Sequence, residues 1–125
     1  MPLKTLIKLE LDGLPPTVNH MYLNARGRRF RTEECQTYQL LTTLKLQRLW
    51  NDKPPFEGRA ALHVVLTVAN RRRWDIDNRL KALQDCLQLA GVIKDDRQID
   101  YLSIKRLYTA KNGTVLTLSS MDDKI

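Results

Sequence analysis

From Arg71 to Lys81 the chain reads Arg-Arg-Arg-Trp-Asp-Ile-Asp-Asn-Arg-Leu-Lys, which sets two carboxylates, an amide and a lysine directly behind three arginines. Carboxylate oxygens are hard ligands suited to Mg²⁺, and such an ion activates water and stabilises charge on a phosphoryl oxygen. Arginines beside them screen an approaching phosphodiester backbone. A second acidic pair, Asp95-Asp96, follows just beyond Gly91, where a helix should stop. These residue types point to metal-assisted phosphodiester chemistry. Asp75, Asp77 and one of the Asp95-Asp96 pair would be the ligands, with Lys81 as an attendant cation. A lone Asp-x-Asp is more often the cap of a surface helix. That plainer role does not explain Asp75, the triple arginine and the second acidic pair together.

Positioning these groups falls to a helix expected from about Asn78 to Ala90. Leu80, Leu83, Leu87 and Ala90 fall within about 80° of one another, a stripe that should face a sheet. Asp77, Lys81 and Asp85 follow i, i+4, i+8 spacing and form a second stripe. Asp77 and Lys81 alone would make an ion pair contributing roughly 0.3–0.5 kcal/mol. Asp75 falls outside the helix, and a bend at the helix start would let both carboxylates converge. The first turn also offers unpaired N–H groups to a phosphate oxygen. After Gly91, Val92 and Ile93 are expected to return the chain to the sheet and bring the acidic pair near Asp75. Successive residues in an extended segment point to opposite sides, so one of the two would face the metal.

The remaining elements form the scaffold. Leu3, Thr5, Ile7, Leu9 and Leu11 alternate as a half-buried strand, ended by Asp12-Gly13-Leu14-Pro15-Pro16. A loop is expected through about Arg31, carrying Arg26, Arg28, Arg29 and Arg31. Thr32 reads as the cap of a helix reaching about Trp50, with Cys35, Tyr38, Leu41, Leu46 and Leu49 on one face. Leu40 and Leu44 fall off that stripe and suggest a second contact surface. Residues 59–69 form the clearest strand, with Leu62, Val64, Leu66 and Val68 on one side. His63 lies on its other side, where a solvated or half-buried role is commoner than catalysis. A third strand is expected over Ile99–Tyr108. Asn112-Gly113 then reads as a tight turn, with Thr114–Ser119 pairing back as a fourth strand. The order β-α-β-α-β-β predicts one α+β domain over residues 1–125, a mixed sheet with two helices packed on it.

Composition agrees with a nucleic-acid partner. The 125 residues hold 21 Lys and Arg against 14 Asp and Glu, a net charge of +7, which favours a polyanion. No apolar run approaches the roughly 20 residues of a spanning helix, and no secretory signal opens the chain, so no membrane association is expected. Cys35 and Cys86 lack metal-ligand spacing and read as buried thiols in a reducing cytoplasm.

These features resemble the RusA family of Holliday-junction resolvases over nearly the whole chain. Pro15-Pro16-Thr17-Val18-Asn19-His20-Met21-Tyr22 is similar to the family's Pro-Pro-Ser-x-Asn-x-x-Tyr opening, with Val18 departing from a position often polar. The likeness continues through Gly27-Arg28. It is strongest in Asp75-Ile76-Asp77-Asn78-Arg79-Leu80-Lys81, followed by Asp85, Gly91 and Lys94-Asp95-Asp96-Arg97-Gln98-Ile99. The resemblance implies that Asp75 and Asp77 are paired metal ligands, Lys81 the active-site lysine and Asp96 the third carboxylate. Asp95 stands one residue away as the alternative third ligand. Asn78 and Asp85 fall on matching positions and would support the site. Arg26, Arg28, Arg29, Arg31, Arg71, Arg72 and Arg73 become candidates for DNA contact, and Trp74 and Tyr22 offer rings to unpaired bases, although packing is their commoner use. The implied enzyme is a Mg²⁺-dependent homodimer, without a nucleotide cofactor, that nicks a four-way junction symmetrically. A non-catalytic junction-binding protein and a metal-dependent nuclease acting on flaps or duplex are the rival readings.

Overall fold

The computed structural model describes residues 4–18, 21–71 and 74–121. Leu3, Asn19, His20, Arg72 and Arg73, named above, lie outside that range. Alternation over Lys4–Asp12 builds β1, which turns Ile7 and Leu9 into the core. The segment expected to be a loop instead forms a hairpin, β2 (Tyr22–Ala25) with β3 (Arg28–Arg31). At its tip Arg26 and Gly27 both take positive φ, 51° and 72°, matching the twist of a two-residue hairpin turn. Four-residue strands carrying one large apolar pair, Leu23 and Phe30, leave too little periodicity to read.

Helix α1 covers Glu33–Trp50, and Thr32 Oγ1 caps it by accepting from the Cys35 N–H at 3.1 Å. Its buried face differs from the expected one. Cys35, Gln39, Thr42, Leu46 and Trp50 point inward, while Leu41 and Leu49 remain exposed with Leu40 and Leu44. The inward residues recur at steps of three and four, a narrow seam that includes polar Gln39 and Thr42. Of the expected stripe Cys35 and Leu46 are buried and Tyr38 is half-buried, so the seam shares part of it but is rotated away from Leu41 and Leu49.

Strand β4 (Ala60–Val68) buries Leu62, Val64, Leu66 and Val68 and leaves His63, Val65 and Thr67 half-buried opposite. Its connection to β5 (Ile99–Tyr108) contains α2 (Leu80–Leu89), and β4 and β5 pair in parallel. The last strand, β6 (Gly113–Ser120), does not pair back on β5 as expected. The sheet order is β1-β6-β4-β5, with β6 antiparallel to both its neighbours. Neither Asn112 nor Gly113 is among the described positive-φ residues, so the tight Asn-Gly turn does not form. Asn112 Oδ1 accepts from the Ala69 N–H and the Asn112 carbonyl accepts from Gly13. The connection thus passes over the end of β4, whose apolar centre gains a strand on each side.

The fold is α+β: one mixed four-stranded sheet with two helices packed on it, plus the hairpin. Leu80, Leu83 and Leu87 of α2 meet Leu46 and Trp50 of α1 over Leu62, Val64 and Leu66. Cys35 and Cys86 are free, buried thiols, and burial pushes the Cys86 thiol up to about 11. Among the described residues no helix is long and apolar enough to cross a membrane.

Candidate metal and nucleic-acid site

Asp75, in the lead-in that follows β4 in the chain, is itself extended at φ −72° and ψ 135°, and a single 3₁₀ turn, Ile76–Arg79, carries the chain into α2. The Asp75 carbonyl accepts from the Asn78 N–H at 3.1 Å, but its carboxylate makes no capping hydrogen bond. The helix-cap role therefore does not account for this side chain. Asp75 and Asp77 are both exposed, with half-buried Asn78 beside them.

Two arginines absent from the expected site hold this lead-in. Arg106 Nη1, on β5, donates to the Trp74 carbonyl at 2.8 Å. The Arg106 and Arg79 guanidiniums lie 4.8 and 4.5 Å from the centre of the Trp74 ring, within cation–π range. Arg79 Nη1 also donates to the Pro15 carbonyl, which ties the diproline loop to the acidic turn. Burial draws the Arg79 guanidinium below its usual range, opposed by the charge of Glu34. Trp74 is thereby partly buried against the core. Arg79 stood inside the recognisable motif, whereas nothing local marked Arg106.

Lys81 turns towards Asp85, Nζ to Oδ1 at 3.3 Å, rather than towards Asp77. The lysine end stays half exposed while Asp85 is mostly covered.

At the far end of α2 the acidic pair divides its work. Asp95 caps the 3₁₀ turn Asp96–Gln98, accepting from the Arg97 N–H at 2.8 Å and pairing with its guanidinium at 3.0 Å. Those bonds from Arg97 hold the Asp95 carboxyl down at about 2. Asp96 is exposed, and its N–H donates to Gln88 Oε1 at 3.1 Å. Buried Gln98 fixes the turn: its oxygen accepts from the Lys94 and Asp95 N–H groups, and its nitrogen donates to the Phe56 and Gly58 carbonyls.

The expected convergence of Asp96 on Asp75 does not occur within one chain. Trp74 is bound to Arg106, near the end of β5, whereas Asp96 lies three residues before β5 begins at Ile99. Seven strand residues separate those ends by roughly 23 Å, and α2 spans about 15 Å between the two turns. Among the described residues no three His, Cys, Asp or Glu side chains lie close enough to hold a metal. Exposed carboxylates have the right chemistry for Mg²⁺, but this spacing allows Asp75 and Asp77 only two thirds of the expected set.

Among the described residues, the arginines expected to contact DNA fall into two groups. Arg71 stacks over the Tyr108 ring, 4.2 Å from its centre, beside the acidic turn. Arg26, Arg28, Arg29 and Arg31 line the exposed hairpin. Arg29 covers the Tyr22 ring at 3.8 Å, and Arg31 donates to Gln39 of α1.

A family model described as endodeoxyribonuclease RusA matches residues 12–119. The chain is 29% identical over 119 residues to the crossover junction endodeoxyribonuclease RusA of Aquifex aeolicus (strain VF5), covering 90% of each chain. It is 32% identical over 114 residues to that of Escherichia coli (strain K12), covering 88% of this chain and 92% of the relative. The protein of the same description from Enterobacteria phage HK97 is 30% identical over 100 residues, covering 74% of this chain and 76% of its own.

Proposed function

This chain belongs to the RusA endodeoxyribonuclease family, and from that membership we propose that it resolves four-way DNA junctions by paired Mg²⁺-assisted nicks, acting as a homodimer. The observation that carries this reading is the exposed turn at Asp75 and Asp77, where the Asp75 carboxylate is left out of helix capping; three arginines precede it in the sequence.

Dimerisation would supply the missing third ligand. A two-fold axis across the middle of β5 exchanges its ends, so the partner subunit's Asp96 would come beside Asp75 and Asp77. Strand β5 is an edge of the sheet, ten residues long, with one side unpaired among the described strands. Such an edge is a ready template for a second strand. Each of the two sites in the dimer would then draw on both subunits.

When bound by these carboxylates, Mg²⁺ would activate water and offset charge on the leaving oxygen. The chain's own residues place the phosphate. Trp74, gripped by Arg79 and Arg106, fixes the approach to Asp75. Lys81, the second residue of α2, sets a positive charge beside the reacting phosphodiester, and Asp85 limits its swing. Asp95 serves the turn, which leaves Asp96 as the third ligand. Hydrolysis of this kind leaves 5′-phosphate and 3′-hydroxyl ends that can be ligated.

The test is cleavage of a synthetic four-way junction, a flap and a linear duplex, each with Mg²⁺ and with EDTA. Symmetric paired nicks in the junction, lost in EDTA, are expected. Equal cleavage of flap or duplex would replace this reading with a general nuclease. Tight binding without cleavage would replace it with a non-catalytic junction binder.

A further inference from the structure

We propose that the groove between the β2–β3 hairpin and α1 receives a nucleobase displaced at the branch point, with Phe30 stacking on the base and Gln39 donating to its edge. This rests on the junction reading above and adds a binding site to it. The groove, about 720 Å³, has Phe30 on one wall and Leu40, Leu44 and Leu89 among its apolar lining. All four side chains are about half exposed or more, Phe30 at 48% and Leu40 at 61%.

Gln39 lines the same groove, and it is only 6% exposed. Its oxygen accepts from Arg31, but its Nε2 is buried without a hydrogen-bond partner. A buried amide donor left unpaired is costly. A ring nitrogen or carbonyl on a base edge would complete it, once the base had replaced water in the groove.

Charge selects a nucleic acid over a protein as the occupant. No Asp or Glu occurs between Asp12 and Glu33, while Arg26, Arg28, Arg29 and Arg31 fall within six residues. The tip arginine even accepts a φ of 51°, a conformation L side chains seldom adopt. Phosphates flanking a displaced base would meet these guanidiniums, and an aromatic face stacks on any base. Tyr22 and Trp74 are poorer platforms, because arginines already cover their rings. The hairpin is also firmly rooted: Met21 is fully buried with Cys35 and Ala82, and its carbonyl accepts from the Thr32 N–H at 2.9 Å.

The experiment places 2-aminopurine, whose fluorescence rises on unstacking, at the branch point or midway along one arm of a four-way junction. Titration with the full chain in EDTA prevents cleavage. We expect fluorescence to rise about two-fold or more at the branch and to stay unchanged in the arm, as for a base taken out of its stack. Phe30→Ser and Leu44→Ser should lose most of that rise with their circular dichroism unchanged. Phe30→Trp should retain it, and its own emission should be quenched by the junction. An equal rise in wild type and Phe30→Ser overturns the proposal, as does a shift from dimer to monomer in either serine variant, which would assign the groove to a protein interface. Failure of the unaltered protein to bind the junction overturns instead the functional reading on which it rests.

Discussion

Asp75 and Asp96 stand at opposite ends of one parallel crossover, with α2 and the length of β5 between them. Trp74, next to Asp75, is bound from Arg106. Asp96 is bound to Gln88, near the other end of α2. Both contacts belong to rigid elements, so rotating either side chain does not close the gap. In the proposed dimer a second chain, running the other way, would bring such residues together.

Mixing two inactive proteins tests that arrangement. Asp77→Asn and Asp96→Asn should each abolish cleavage alone while retaining junction binding, since removing a carboxylate adds no repulsion to DNA. Co-refolded in equal amounts, they should regain about a quarter of wild-type nicking, because half the dimers are mixed and each holds one intact site. Nicked but unresolved junction should accumulate. No recovery would place all three ligands within one chain.

The acidic pair is separable by pH. The folded Asp95 carboxyl sits at about 2, below its ordinary 3.8. Its contribution to stability is therefore complete above the ordinary value and is lost as pH falls through the folded one. Asp95→Asn should flatten the urea midpoint against pH between about 4 and 2, and it should keep most cleavage activity because asparagine still caps. Asp96→Asn should lose cleavage and leave that acid slope in place. The reverse pattern would assign the ligand role to Asp95.

Gln98 should matter more than an uncharged residue two places after Asp96 suggests. Gln98→Ala strands two N–H groups and two carbonyls that its side chain now serves, a cost of about 2–3 kcal/mol. Gln98→Glu keeps the size but cannot donate, so it should also destabilise. Urea unfolding measures both. A wild-type midpoint in each would show that water takes over these bonds.

Salt dependence tests the basic flank. Replacing Arg71, Arg72 and Arg73 together with alanine should weaken junction binding and lower the slope of log K against log salt by about 2–3, at roughly 0.9 counterion per lost phosphate contact. An unchanged slope would remove the cluster from the interface.

Local chemistry was legible without coordinates. Thr32 capped the helix it was expected to cap, because a hydroxyl's bond to an N–H three residues on depends on nothing distant. Strands β4 and β5 were placed within a residue because their apolar and β-branched runs are short-range signals. The acidic motif pointed to the family through residue type and spacing alone, and the family model matches over residues 12–119.

What needed the tertiary structure was each relationship between distant segments. Thr114–Ser119 was recognisable as strand, but its neighbours depended on competition for the apolar β4, which β6 and β5 now flank on either side. The seam of α1 followed whatever surface α2 and β1 offered, so Gln39 went inward and Leu41 outward. Arg106 became part of the acidic site only because parallel pairing of β4 and β5 carries it beside Trp74. The same pairing separates Asp96 from Asp75. A sequence fixes which groups can ligate or hydrogen-bond through local covalent chemistry, whereas their distances are set by which hydrophobic faces pack together, a choice made by the whole chain at once.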